Sequence, residues 1–435
     1  MIYFIGIKGT GMASLACMLH DTGKEVMGSD LEKHFFTEDE LVKRNIKILP
    51  FDPANIKDNY TVIIGNAFLE DFPEVKVARA NKTCKCYRYH EYLGLLMENY
   101  KTISVCGSHG KTTTTTMLSR MMSSFKNTGY LIGDGEGFLN EDSEYLCVES
   151  CEFRRHFLAY KPDYAIITNI EIDHVDYFKD EEDYFSAYNQ FVKNVKEGVL
   201  YYGDDPYCRR LEIEVPSFSF GFDADTDDFA AVDLVEDEDS TSFTLLFKGN
   251  YLFTFNLPFV GRHMIIDALG VISLGILFCF DPRLIESSLR HYRGPKRRYV
   301  IEEYNNTIFI DDYAHHPTEV KVTLEATKKR YPSKKIIAIF KPHRASRVEY
   351  FAEEFKNALM LADEIYLIDF TSIDDKQDGT DIDITYLQNL IPGSHILTED
   401  IDGAKELSKY KGDVLVFMSS KDIYNIAKMT KKEMK

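Results

Sequence analysis

A chain of 435 residues exceeds one typical core, and the usual domain size implies about two to four domains. Its 44% hydrophobic, 28% charged composition reads as a soluble globular protein, while a formal charge of −19 argues against nucleic acid or an anionic membrane as partner, because no basic stripe stands out. The eight cysteines show neither C-x-x-C pairing nor a secreted framework, and so fit free thiols in a reducing cytoplasm.

Met1 to Gly6 lacks a basic leader and reads as a strand rather than a signal peptide. Ile2 to Ile7, Glu25 to Gly28 and Thr61 to Gly65 are short β-rich runs. They alternate with amphipathic stretches at Met12 to Asp21 and Thr37 to Arg44, the pattern of βαβ units around a parallel sheet. The first turn is Gly6-Ile7-Lys8-Gly9-Thr10-Gly11, and Ser29-Asp30 ends the second strand, about 20 positions further on. This is similar to a dinucleotide fingerprint, but the order G-x-x-G-x-G departs from G-x-G-x-x-G. A general nucleotide-phosphate or ribose site, an NAD site and an unliganded turn all remain open.

Residues 107 to 113, Gly-Ser-His-Gly-Lys-Thr-Thr, follow the apolar run Ile103 to Cys106 and open a threonine-rich helical segment. The layout of strand, loop and helix start suits ATP: backbone N–H groups close on phosphate, Lys111 neutralises it, and Thr112 can hold Mg2+. Val105 stands where the first glycine of the usual G-x-x-x-x-G-K-T would be, so the motif is the shorter G-x-x-G-K-T. Later strands at Tyr145 to Val148 and Tyr164 to Thr168 deliver Glu149, with Glu152 beyond it, and Asn169, Asp173 and His174. Thr112, Glu149 and His174 are the candidate metal ligands: the hydroxyl and the carboxylate are hard oxygen donors suiting Mg2+, and His174 is a candidate to ligate a second ion or orient the γ-phosphate. The stretch from Asp223 to Asp239 has nine acidic and no basic residues and reads as a solvated surface excursion. Ile265 to Phe280 is too short to span a bilayer and reads as a buried helix.

At Arg293-Gly294-Pro295-Lys296-Arg297-Arg298 a basic linker leads into another α/β series, with strands at Thr307 to Ile310, Lys335 to Phe340, Glu364 to Ile368 and Val414 to Met418. After the first of these comes Asp311-Asp312-Tyr313-Ala314-His315-His316-Pro317, with Pro317 suited to a helix start. Asp312 is placed to meet ribose or a phosphate-bound metal and a histidine to meet substrate. Arg297 and Arg298 are candidate phosphate clamps.

These ordered motifs together resemble the Mur ligases, ATP-dependent amide-forming enzymes of bacterial peptidoglycan synthesis. Carrying the resemblance are the first glycine turn with Met12, residues 107 to 113, Glu149 with Arg154-Arg155-His156-Phe157, and Thr168-Asn169-Ile170 with Asp173-His174. Lys296-Arg297-Arg298-Tyr299 and residues 311 to 317 complete the set. The resemblance implies three α/β domains: a Rossmann-like domain over 1–99, a central P-loop-type ATPase domain with a mostly parallel sheet over 100–293, and a Rossmann-like closing domain over 294–435. It implies that Gly6, Gly9, Thr10, Gly11, Ser29, Asp30 and Asn66 hold the UDP part of UDP-N-acetylmuramate. ATP falls to Gly107, Ser108, His109, Gly110, Lys111, Thr112, Thr113, Asp267, Arg298 and Asp312, and two Mg2+ ions to Thr112, Glu149 and His174. Lys111, Glu149 and His174 would be catalytic, while His109, Arg297 and His315 would meet substrate.

His109 and Met12 point to the alanine-adding branch, with L-alanine as second substrate, in the cytoplasm, as monomer or dimer. A peptide-recycling ligase of the same family, a plain P-loop ATPase and an inactive relative are the alternatives. The chain departs from the family at Asp267, usually asparagine. It also has Lys341-Pro342-His343-Arg344-Ala345-Ser346-Arg347 for Gln-Pro-His-Thr-Phe-Ser-Arg, and Ser419-Ser420-Lys421-Asp422 for Gly-Ala-Gly-Asp. Those glycines lost, the last loop is expected to run differently.

Overall fold

The computed structural model describes residues 1–292, 294–370 and 379–435; Arg293, where the expected linker begins, lies outside them. The architecture is three-domain α/β, each domain built on its own mostly parallel sheet. Chain contacts group into two compact units, Met1–Glu171 with Glu182–Arg293 and Ile172–Glu181 with Gly294–Lys435. The segment Ile172–Glu181, which the sequence assigns to the central domain, therefore packs with the C-terminal residues. No helix among the described residues is long and apolar enough to cross a membrane.

The first sheet is wholly parallel, in the order Lys47–Leu49, Val26–Ser29, Ile2–Ile5, Thr61–Ile64, Lys85–Arg88. Ile2–Ile5 is buried along its whole length, as suits a central strand covered on both faces. The strand order reverses between Ile2–Ile5 and Thr61–Ile64, which opens a crevice at their carboxyl ends.

In the central sheet, Lys101–Cys106 lies between Tyr145–Glu149 and Tyr164–Ile167 and runs parallel to both. Their carboxyl ends bring Gly107, Glu149 and Thr168 side by side. The helix Lys111–Phe125 anchors the loop before it by burying Met117, Leu118, Met121 and Met122, the three-and-four spacing of one helix face. Arg262–Leu277 is the buried helix expected over 265 to 280; Ile265, Ala268, Leu269 and Ile272 join the same core.

The acidic stretch requires a correction. Phe229–Glu236 is a strand of the central sheet, buried at Phe229, Ala230 and Ala231, so half of the supposed surface excursion is structural. Asp227, just before it, is 4% exposed and meets Arg209 at 2.8 Å. The high acid count masked the apolar residues that make the strand. Two antiparallel strands that the sequence reading lacked, Thr241–Phe247 and Asn250–Leu257, extend this edge.

The third sheet runs Val300–Tyr304, Thr307–Asp312, Val414–Met418, Ile336–Phe340, Glu364–Leu367, His395–Ile396, antiparallel only in its first pair. Its carboxyl edge sets Asp312, Ser419 and Lys341 in a row: Ser419 N donates to Asp312 O at 3.0 Å, and Lys341 N to Met418 O at 3.1 Å.

Arg209→Ala strands a buried carboxylate and is expected to cost roughly 2–3 kcal/mol at pH 7, below the figure for a fully buried pair because the Arg209 side chain is 35% exposed. Burial pushes the Asp227 carboxyl up to about 6. Protonation then removes the stranded charge, so the loss should shrink at pH 5; urea unfolding of both proteins at the two pH values checks this.

Candidate active site

Beyond Cys106 the chain turns through Gly107 to Gly110 into the helix Lys111–Phe125, whose first turn carries Lys111, Thr112 and Thr113. Gly110 has φ 80°, and a Cβ there would lie 2.3 Å from Asp267 Oδ1, so the position demands glycine for both conformation and space. The neighbouring strand end braces the loop. His109 O accepts from Thr168 Oγ1 at 2.5 Å and from Asn169 Nδ2 at 3.0 Å, and His109 N donates to Asn169 Oδ1 at 2.9 Å. The His109 ring reaches Glu171, Nε2 to Oε2 3.2 Å.

Lys111 Nζ donates to the carbonyls of Gly107 and of Ser108, the latter at 2.9 Å, and lies 3.1 Å from Glu152 Oε2. Burial alone would lower the lysine, but the Glu152 carboxylate outweighs it and holds the ammonium above the usual lysine range. Thr112 Oγ1 donates to Glu149 Oε1 at 3.0 Å, and Gly133 N donates to Glu149 Oε2 at 2.7 Å. A Cβ at Gly133 would lie 2.5 Å from Glu149 Oε1, so this glycine makes the cradle for the carboxylate. A hydroxyl and a cradled carboxylate beside a phosphate loop are the donor set that Mg2+ prefers; the residues fit the ion.

In the first domain, Gly6 and Asn66 follow the two strands flanking the crevice, and Gly9 caps the helix Thr10–Asp21, whose first turn holds Gly11. Asp30 lies under the turn, accepting from Lys8 N at 2.7 Å and Leu31 N at 2.8 Å, and burial raises its carboxyl. Ser29 departs from expectation: its fully buried hydroxyl donates to Glu74 Oε2 at 2.5 Å, inside the domain, because strand alternation turns it inward. Asn66 Nδ2 meets His156 Nδ1 at 3.0 Å. His156 stacks on His90 at 4.0 Å, and burial pushes it down to about 3, which leaves a neutral ring able to accept from the amide.

The second unit holds the remaining candidates. Asp312 accepts from Tyr299 N at 2.9 Å and Ala314 N at 2.7 Å, and burial pushes its carboxyl up to about 6. Arg298 NH1 lies 3.4 Å from Glu319 Oε1, and His315 Nδ1 lies 3.0 Å from Glu319 Oε2. Arg297 is not a solvated linker residue; it is 5% exposed, pairs with Asp311 at 3.3 Å and donates to Ser419 O at 2.8 Å. His174 sits on Ile172–Glu181, beside Asp173. Arg347 donates twice to Asp173 Oδ1, at 2.9 and 2.7 Å, and Arg344 meets Asp176 at 3.1 Å. Burial alone would raise Asp173, but the Arg347 guanidinium outweighs it and holds the carboxyl well below the usual range.

Lys341, one of the expected departures, is held by Glu399 at 2.5 Å and Asp422 at 3.1 Å. None of Ser419, Ser420 and Lys421 takes positive φ, so this loop does without glycines. The sequence reading lacked Gly133, whose role is visible only once the neighbouring strands are aligned.

Three family profiles match the chain: "Mur ligase family, catalytic domain" over residues 1–101, "Mur ligase middle domain" over 105–275, and "Mur ligase, glutamate ligase domain" over 296–421. Among solved structures, the UDP-N-acetylmuramate–alanine ligase of Thermotoga maritima aligns with a TM-score of 0.81 at 25% identity, over 100% of this chain and 99% of that one. A murein peptide ligase of Psychrobacter arcticus gives 0.78 at 22%, over 100% and 98%. A MurF ligase of Thermotoga maritima in complex with ADP gives 0.64 at 18%, over 95% and 96%.

The raised carboxyl of Asp312 fixes a pH dependence. Its folded value of about 6 exceeds the ordinary 3.8, so the unfolded chain gives up this proton first and stability falls as pH rises from about 4 to 6. Asp312→Asn should remove about 2–3 kcal/mol of that fall, at about 1.4 kcal/mol per unit; unfolding free energies of both proteins across this window are the check.

Proposed function

The chain belongs to the Mur ligase family, and from that premise we propose that it uses ATP to join L-alanine to the lactyl carboxylate of UDP-N-acetylmuramate, forming a peptidoglycan precursor in the cytoplasm. The observation that carries this reading is the convergence of Lys111, Thr112 and Glu149 at adjacent strand ends, with Thr112 Oγ1 3.0 Å from Glu149. The full-length likeness to an alanine ligase supports the choice of acceptor and amino acid.

A carboxylate resists attack by an amine, so it must first become a better electrophile. In the proposed sequence the lactyl carboxylate attacks the γ-phosphate in line, giving an acyl phosphate and ADP; the alanine amine then attacks the acyl carbon and phosphate leaves. Lys111 neutralises the β- and γ-phosphate oxygens, and the backbone N–H groups of the loop cradle them. Thr112 and Glu149 would hold Mg2+, with His174 assigned to a second ion; the metal would supply screening of like charges. Asp267, beside Gly110, sets a negative charge against the loop and belongs on its nucleotide side.

The glycine turn, Asp30 and Asn66 would receive the UDP part, through the crevice where such sheets bind nucleotides. The inward Ser29 would act through Glu74 rather than by contact. His109 and His315 are assigned to substrate, Arg298 and Asp312 to the nucleotide side. Arg297, bound to Asp311 and Ser419, would shape the site rather than clamp phosphate.

Phosphate release with ATP and Mg2+ should require both UDP-N-acetylmuramate and L-alanine. A tripeptide that replaces alanine at equal or higher kcat/KM would move the protein to peptide recycling, and release indifferent to either acceptor would leave only an ATPase. Lys111→Ala should lower turnover by about a thousandfold or more with unchanged circular dichroism; near-normal turnover in that variant overturns the phosphoryl-transfer assignment.

A further inference from the structure

Behind the phosphate loop lies a buried polar chain to which the proposed chemistry gives no part. Glu152 is fully buried and reaches the Lys111 ammonium at 3.1 Å. The Tyr184 hydroxyl donates to Glu152 Oε1 at 3.0 Å and lies 3.2 Å from the Tyr188 hydroxyl and 2.9 Å from Ser108 Oγ. A phenol has one proton, and a carboxylate only accepts, so the Tyr184 proton points to Glu152 and Tyr188 donates to Tyr184. The two tyrosines stand one turn apart on the helix Glu181–Val192, and both are buried. The donors thus run one way, Tyr188 to Tyr184 to Glu152, and the carboxylate faces a phenol on one side and the ammonium on the other.

Lys111 has three N–H donors, and Gly107 O, Ser108 O and Glu152 Oε1, the last at 3.4 Å, are three acceptors for them. The ammonium is therefore saturated before any phosphate arrives, and an incoming phosphate oxygen must displace one partner. Two of the three are neutral carbonyls that belong to the loop. Glu152 is the charged competitor, and in a buried setting its attraction for the ammonium is strong.

We propose that Glu152, oriented by Tyr184, is a positioning residue for Lys111: a resident counter-ion that fixes the ammonium under the loop and from which nucleotide phosphate must draw it. Glu152 thereby weakens ATP binding while aiming the lysine for turnover. The turnover half rests on the proposed ligase reaction; the binding half rests only on a phosphate-binding loop.

Glu152→Gln removes the charge and keeps the shape. Calorimetric titration with ATP and Mg2+, without acceptor, should show binding at least threefold tighter, while kcat in the complete assay falls about tenfold or more. Tyr184→Phe, which keeps the ring, should move both quantities the same way by a smaller factor. A merely structural role would instead weaken ATP binding and lower the melting temperature together. Unchanged or weaker ATP binding by folded Glu152→Gln overturns the proposal; if that variant does not fold, wild-type affinity and turnover in Tyr184→Phe overturn it. Should the wild-type protein bind ATP yet release no acceptor-dependent phosphate, the ligase reading fails, and the comparison of affinities still decides whether Glu152 competes for Lys111.

Discussion

A phosphate loop without its first glycine does not close on itself, and its shape has to be imposed from outside. Thr168 and Asn169 impose it, by holding both backbone groups of His109. These braces come from the strand Tyr164–Ile167, whose register sets Ile167 opposite Cys106. A slip by one residue would turn Thr168 to the other face of the sheet and release the loop. The aim of Lys111 and Thr112 is therefore a property of strand pairing, and the apolar core that fixes the register also fixes the chemistry.

The fold was legible at many of the short, bounded apolar runs, though strands such as Gly198–Tyr202 escaped the reading. The strand expected over 414 to 418 is observed as Val414–Met418, and others differ by a residue or two at their ends, where pairing rather than propensity decides. The candidate site was legible at the level of strand ends, because motifs that follow strands land on one sheet edge. Side-chain direction was not. Ser29 and Arg297 carry the right chemistry at the right positions, yet both turn inward to Glu74 and Asp311. Tyr184 and Tyr188, spaced as a core face, give no sign in sequence that their hydroxyls reach Glu152. In the acidic stretch a single compositional property, charge, concealed the short apolar run Phe229 to Ala231 that begins a strand.

The electrostatics follow one pattern throughout. In a chain of formal charge −19, the buried cations among the described residues come with acids: Lys8 with Glu38, Lys111 with Glu152, Arg347 with Asp173, Arg297 with Asp311, Lys341 with Glu399 and Asp422. Such pairs add little net stability, since desolvation offsets attraction, but breaking one leaves a bare buried charge. They make geometry specific. Lys341 illustrates the point, for two acids accompany one buried ammonium.

The association of Ile172–Glu181 with the C-terminal unit gives the chain three crossings between its units instead of one. The two are consequently not beads on a string that recombination can exchange at a single joint. A crossover at residue 294 would move Arg347 into a foreign context while leaving Asp173 behind, and the incoming arginine would find an acid only if the recipient carried one at the matching place. Ile172–Glu181 and the C-terminal domain are therefore bound to change in concert, as though they were one gene segment interrupted by another.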